Sequence, residues 1–363
     1  LGVAGEPDWW AFYDISMFRG EDLELRVREP VIKDVADRLA RLVEQSDEIK
    51  SAENLYHEAR RPQFHYTSRR GWNNDPNGLV YYGGEYHLFY QHNPFGIGWG
   101  NMHWGHAVSR DLVHWEELPI ALYQRGLGDM AYSGGGNVDV HNTSGWKTGA
   151  EDILFVSFTS TGRGECIAYS DNRGRSFREY EGNPVLKHQG RDPKIIWYDP
   201  DHKWVMIVYD EAASEWRYAL YESRDLKTWS FMSVVPEFYE CPDLFRLPLG
   251  GDAGKMKWVV YGAHRREADG QQHVARSSYQ VGSFDGHTFT PETPILNGHL
   301  GPNYYAAQSF SNAPNGRGIM IGWLAGATYS GMPFSQGFTV PLELSLRSTP
   351  DGPRLFFYPV KEL

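Results

Sequence analysis

The segment SRDLVHWEE, Ser109–Glu117, decides how the rest of the chain is read. Its pattern is a Ser, an Asp one or two residues on, and an aromatic at the start of a strand-like run. That pattern returns. SDNRGRSFREY begins at Ser170, SRDLKTWSF at Ser223 and SFDGHTFTPE at Ser283, so the marks lie 61, 53 and 60 residues apart. A period longer than ~40 residues, with several short strands in each unit, is what a β-propeller blade requires. From Arg61 to Leu363 there is room for five such units. A β-sandwich is the rival architecture, but it offers no reason for a repeat of this length. The expectation is an all-β chain whose residues 62–363 form a five-bladed β-propeller. Ligand chemistry then belongs at the mouth of the central channel, where the innermost strand of each blade contributes.

Residues 1–61 read differently. WWAFYDISMF (Trp9–Phe18) and LELRV (Leu23–Val27) alternate as two strands would, with Arg19–Asp22 as the turn between them. VIKDVADRLARLVEQ follows, with Val35, Leu39 and Leu42 at near-helical spacing. A small N-terminal module of strands and one short helix is expected over 1–61.

Composition narrows the partners. The net charge of -11 is spread along the chain, and no concentrated basic face argues for nucleic acid. No apolar run approaches ~18 residues, so nothing reads as a membrane span. Thirteen Trp and 22 Tyr suit flat, hydroxyl-rich ligands whose C–H faces stack on rings, although aromatic residues also serve as strand formers in an all-β core. The two cysteines, Cys166 and Cys241, give no disulfide framework and no cysteine-based zinc site. His103 and His106 lie in an aromatic, strand-like run and read as packed or hydrogen-bonded side chains. Nothing in the chain calls for a metal or another cofactor.

Three acids stand in uncharged, aromatic or Pro-flanked settings, each in a different unit. Asp75 lies in RGWNNDPNGLVY, where NNDPNG has the residues of a tight connection before a strand Leu79–Tyr82. Asp192 lies in GRDPKIIWY beside Arg191, and Glu240 in FYECPDLF. Each has a plain structural reading: a turn, an Arg–Asp surface pair and a solvated strand entry. In a propeller, however, the three can meet at the axis. Two carboxyl groups facing a sugar, one ionised and one protonated, are the equipment of a glycosidase. Glu240, among Phe238, Tyr239 and Cys241, is expected to be the acid raised by desolvation, and Asp192 the one kept ionised by Arg191.

With these strings in hand the chain resembles glycoside hydrolase family 32, the invertases, inulinases, levanases and fructan β-fructosidases. The resemblance rests on WNNDPNG (72–78), FYQHNPFG (89–96), WGNMHWGHAVSRDLVHWEELPIAL (99–122), YSGG (132–135), GRDPK (190–194), FYECPDLF (238–245), YYAAQSF (304–310), IGW (321–323) and LELSLR (342–347), in the family's order. It implies a five-bladed propeller and a retaining, exo-acting hydrolysis of terminal β-D-fructosyl residues from levan, inulin or sucrose. Transfer to a sugar acceptor, endo attack, and fructan binding without turnover are its alternatives. It implies Asp75 as nucleophile, Glu240 as acid/base and Asp192 as transition-state stabiliser. Asn74, Gln91, Trp99, Ser133, Arg191 and Trp323 then line the fructose pocket. A polymeric substrate makes an extracellular or periplasmic location the expectation. The family's pattern continues past YPVKEL into a C-terminal β-sandwich, so that module is expected to be missing here.

Overall fold

The computed structural model describes residues 10–22, 41–126, 128–212, 215–268, 271–298 and 300–363. Strands make up nearly all of the regular structure. The first antiparallel run is β1 (Gly71–Tyr82), β2 (Glu85–Asn93), β3 (His103–Ser109) and β4 (Trp115–Leu122). The second is β5 (Gly136–Asp139), β6 (Ile153–Ser160), β7 (Gly164–Ser170) and β8 (Arg178–Glu179). The third is β9 (Gly190–Tyr198), β10 (Lys203–Asp210), β11 (Arg217–Ser223) and β12 (Ser230–Pro236). Next come β13 (Phe238–Leu249), β14 (Asp252–Ala268), β15 (Gln271–Phe284) and β16 (Phe289–Pro291), with β17 (Leu296–Asn297) beside β15. The chain finishes with β18 (Tyr304–Ser309), β19 (Gly318–Leu324), β20 (Phe334–Ser335), β21 (Leu342–Thr349) and β22 (Gly352–Pro359). With β20 set apart, the last two groups share one nine-stranded sheet, joined where Leu249 pairs in parallel with Leu346.

The strand alternation explains why these sheets stack. In β10 the apolar run WVMIVY is buried throughout. Val205, Ile207 and Tyr209 enter one core, whereas Trp204, Met206 and Val208 enter the next. Successive side chains of a strand point to opposite faces, so a sheet sandwiched between two others needs apolar residues at every position. β6 does the same: Ile153 and Phe155 face one way, Leu154, Val156 and Phe158 the other. Among the described residues such cores join each strand group to the next, and one joins the last to the first. The leading strands follow suit. β1 touches β5, β5 touches β9, β9 touches β13, β13 touches β18, and β18 returns to β1. The closed order is that of a propeller, and it leaves the leading strands around one axis.

Late chain locks the ring to its beginning. β20 pairs in parallel with the start of β1, Gly71 opposite Phe334 and Trp72 opposite Ser335. Phe338 N–H donates to the Tyr66 carbonyl, and Ser311 bridges to Val80.

The four repeat marks occupy equivalent places, the hairpins β3–β4, β7–β8, β11–β12 and β15–β16. Asp111 Oδ1 accepts the N–H groups of Val113 and His114 at 2.9 and 2.8 Å. Asp225 Oδ1 accepts those of Lys227 and Thr228, and Asp285 Oδ1 those of His287 and Thr288. In the second hairpin Asn172 takes this role, accepting from Ser176 N. The repeat is thus a side-chain-capped turn, an acceptor satisfying amides that the ladder leaves open.

Two expectations are corrected. NNDPNG is no connection before a strand at Leu79: β1 runs through it from Gly71. Pro76 faces Tyr90 in the ladder, and the register shifts between Asn73 and Pro76 and again between Asn77 and Val80. The turn-forming residues make a bulged strand, which tolerates the missing Pro N–H. Likewise Trp10–Phe18 is no strand. It carries a 3-10 turn at Ser16–Phe18, and among the described residues no strand pairs with it. Its rings pack instead: Tyr13 lies 4.4 Å from Tyr123, and Lys50 Nζ 4.3 Å over Trp10. The expected strand at Leu23–Val27 and most of the expected helix lie outside the described residues; Arg41 and Leu42 are helical.

Candidate active site

Each of the three acids sits at a bulge in a leading strand. Asp75 is in the β1 bulge, Asp192 in the β9 irregularity between Arg191 and Lys194, and Glu240 in the β13 bulge between Tyr239 and Asp243. A fourth bulge, between Tyr305 and Gln308 of β18, presents Tyr305. Asp192, Cys241 and Ala306 have left-handed backbones, φ 66°, 56° and 49°. Bulges of this kind turn a side chain out of the regular alternation, here towards the axis. Pro76, Pro193 and Pro242 follow closely, at places where a ladder hydrogen bond is already lost.

The convergence is direct. Asp75 Oδ2 accepts from Ser133 Oγ at 2.5 Å and Oδ1 from Asn74 Nδ2 at 3.0 Å; Asn74 Oδ1 in turn accepts from Trp72 Nε1 at 2.9 Å. Asp192 Oδ2 accepts the Cys241 backbone N–H at 3.0 Å. The Cys241 thiol stands 3.7 Å from Asp192 Oδ2 and 3.9 Å from Asp75 Oδ2, so one residue touches both acids. Glu240 Oε2 accepts from Arg191 Nη2 at 2.9 Å and Nε at 3.2 Å, and Oε1 from the Tyr305 hydroxyl at 2.5 Å. Arg191 also donates to the Tyr239 hydroxyl at 2.9 Å and pairs with Glu211.

Three carboxyl groups sharing one guanidinium cannot all be charged cheaply. Burial pushes Asp75 up to about 6; the Ser133 hydrogen bond opposes this, and nearby Glu240 adds to it. Burial also pushes Asp192 up to about 8, against the pull of Arg191 and with further push from Glu240 and Asp75. For Arg191, burial works against its charge, but Asp192 and Glu240 outweigh it and hold the guanidinium above its ordinary value. Asp192 was expected to stay ionised beside Arg191. The structure corrects this, because its carboxyl lies deep behind Cys241 while the guanidinium fork is turned to Glu240, with Arg191 Nε 3.8 Å from Asp192. Nor is Glu240 the most desolvated acid: its side chain is 24 % exposed, whereas that of Asp192 is 4 %.

Trp323 joins the group, 6.1 Å edge-on from Trp72 and 6.4 Å from Tyr305, with its Nε1 donating to Gln336. Trp99 is 57 % exposed and lies 6.1 Å edge-on from Tyr132. Gln91 is buried and donates to the Ala131 carbonyl. His103 and His106 are packed, His106 against His87 at 3.0 Å and His103 against the Asn101 carbonyl. Both cysteines are free. Tyr305 and Glu211 were missed by sequence reasoning. Tyr305 stands directly before a left-handed residue, as Arg191 and Glu240 do, but that likeness is visible only in the backbone. Glu211 is an ordinary acid at a strand end, and nothing local marks it.

Comparison with known proteins points to one family. Residues 65–359 match the model of the glycosyl hydrolases family 32 N-terminal domain. The levanase of Bacillus subtilis is 42 % identical over 336 residues, covering 85 % of this chain and 48 % of its own length. The extracellular exo-inulinase of Aspergillus niger is 34 % identical, covering 81 % of this chain and 63 % of its own. Among solved structures, the exo-inulinase of Aspergillus awamori superposes with a TM-score of 0.74 at 33 % identity, over 84 % of this chain and 68 % of its own. The fructofuranosidase of Schwanniomyces occidentalis complexed with fructose gives 0.74 at 30 %, over 84 % and 64 %. The chain thus spans about half to two thirds of the length of the relatives it matches in sequence. With a family model matched across most of its length and three acids gathered on its leading strands, the chain belongs to glycosyl hydrolase family 32.

Proposed function

We propose that this chain is a retaining, exo-acting β-fructofuranosidase that releases terminal β-D-fructosyl units from levan or inulin, and from sucrose. The observation that carries the reading is the contact of Cys241 with both Asp75 and Asp192, beside a Glu240 held by Arg191 and Tyr305. The names of the levanase and exo-inulinase relatives favour the same substrate class. The nine-stranded sheet, joined through one residue pair, reads as two blades, giving five in all over residues 62–363. Residues 1–61 are then a separate module, whose described residues Tyr13 and Tyr56 meet Tyr123, just past β4, and Glu117 of β4. A fructan substrate favours action outside the cell.

In this mechanism Asp75 attacks the anomeric carbon of the terminal fructosyl unit while Glu240 gives its proton to the departing oxygen. The covalent fructosyl ester then meets a water whose proton returns to Glu240, and fructose leaves. Ser133 and Asn74 hold both Asp75 oxygens, fixing the attacking one. Asp192 hydrogen-bonds fructose hydroxyls, and positive charge developing on the ring draws its carboxyl towards the ionised form that Arg191 also favours. Trp99 and Trp323 offer faces for the sugar's C–H surfaces.

Incubation with levan, inulin and sucrose, followed by separation of the products, tests the reading. Fructose as the first product from each polymer supports it, and Asp75→Asn and Glu240→Gln should each abolish release. Oligosaccharides as first products, or substantial activity in either variant, overturn it.

A further inference from the structure

Behind the three acids lies a buried polar chain that the reaction does not use directly. Asp192, with its left-handed backbone, donates its N–H to Thr159 Oγ1 at 3.0 Å. Thr159 belongs to β6, so the bond crosses from one strand group to the next. Its hydroxyl proton points the other way, to Glu165 Oε2 at 2.7 Å, on the directly paired residue of β7. Glu165 is fully buried, and its Oε1 lies 3.0 Å from His188 Nε2. His188 folds over Gly190, where a side chain would strike its ring and the Tyr209 carbonyl.

The chain has a direction. A threonine hydroxyl has one proton; with that proton committed to a buried carboxyl group, its lone pairs face Asp192 N–H and cannot rotate away. A carboxyl group removed from water is costly unless hydrogen-bonded, and both Glu165 oxygens are engaged, one by Thr159 and one by His188. The backbone of Thr159 points to the same use, since its carbonyl accepts Tyr132 N–H at 2.8 Å and Tyr132 precedes the Ser133 that holds Asp75. One residue thus stands behind both acids, by its side chain for Asp192 and by its main chain for the Asp75 partner.

We propose that Thr159, oriented by the buried Glu165–His188 pair, is a positioning residue for Asp192. Its hydroxyl pins the left-handed backbone from which the Asp192 carboxyl reaches Cys241 N–H and the fructosyl site. The role in turnover rests on the fructosidase reading above; the role in geometry does not.

Thr159→Val keeps the volume and removes the hydroxyl, whereas Thr159→Ser keeps the hydroxyl and removes the methyl. Because misplacement of a catalytic group by about 1 Å costs on the order of 100-fold, Thr159→Val should lower kcat on sucrose or inulin by roughly 10- to 100-fold, with KM moving about threefold or less, and Thr159→Ser should stay within about threefold of the parent. A crystal structure of Thr159→Val should show Asp192 out of its left-handed φ or its carboxyl off Cys241 N. Equal losses in both variants, or an Asp192 unmoved in the crystal, overturn the proposal. A parent protein that releases no fructose overturns the fructosidase reading instead, and the Asp192 geometry of Thr159→Val still decides the positioning role.

Discussion

Ser133 Oγ donates to Asp75 Oδ2 across 2.5 Å, joining a segment ahead of β5 to the bulge of β1. That bond favours the ionised carboxylate, against a burial that pushes Asp75 up to about 6. In the proposed mechanism Asp75 attacks as the carboxylate, so kcat/KM should fall as pH drops through about 6. Ser133→Ala removes a stabiliser of the charge and should move this acid limb to higher pH. The loss should be greater at pH 5 than at pH 8; a pH–rate profile of both proteins checks the direction.

Asp192 has a linkage consequence. Its folded-state carboxyl is raised to about 8 from an ordinary 3.8, so the folded protein holds that proton more tightly than the unfolded chain. The stability this confers is fully present below pH 4 and is lost as pH rises towards 8. Asp192→Asn should therefore be inactive yet more stable than the parent at pH 8, with the gain vanishing near pH 4. Urea unfolding at the two pH values measures it.

Tyr305 donates to Glu240 Oε1 at 2.5 Å while Arg191 holds Oε2. With Tyr305→Phe the carboxyl group keeps one anchor of two. We expect kcat to drop by about tenfold on fructans, with less loss on an aryl fructoside whose departing phenolate needs little protonation. Parallel kinetics on the two substrates separate proton delivery from sugar binding.

Lys194 and Asp243 form an ion pair at 3.7 Å with almost no solvent contact. Lys194 Nζ donates to the Ser309 carbonyl and Ser309 N–H donates to Asp243, so the pair ties β9, β13 and β18 together. Lys194→Met leaves a buried carboxyl group without its cation and should cost about 3–5 kcal/mol. Lys194→Met/Asp243→Leu should cost clearly less than the sum of the single changes, as a double-mutant cycle in urea would reveal.

Much of the fold is legible along the chain. Turn chemistry at Asp111, Asp225 and Asp285 is local, because each side chain caps amides two or three residues ahead. The all-β character is local too: β10 is apolar at nearly every position because both its faces are covered. The ordered motifs carried Asp75, Asp192 and Glu240 into one site. Local rules also misled. NNDPNG has the residues of a turn and is a bulged strand, because pairing with β2 outweighs its own turn preference. Trp10–Phe18 alternates like a strand, but among the described residues its aromatic rings pack on Tyr123, Phe95 and Lys50 without a ladder partner.

The sequence by itself determined which acids stand ready and that a repeating β architecture carries them. Only the tertiary structure decided which acid is most desolvated, that Tyr305 completes the hold on Glu240, and that Thr159 stands behind Asp192. Capping and alternation depend on residues a few positions apart, whereas burial and charge depend on everything that surrounds an atom. Around Asp192 that surrounding comes from β6, β9 and β13, strands far apart in the chain that meet only when the ring closes.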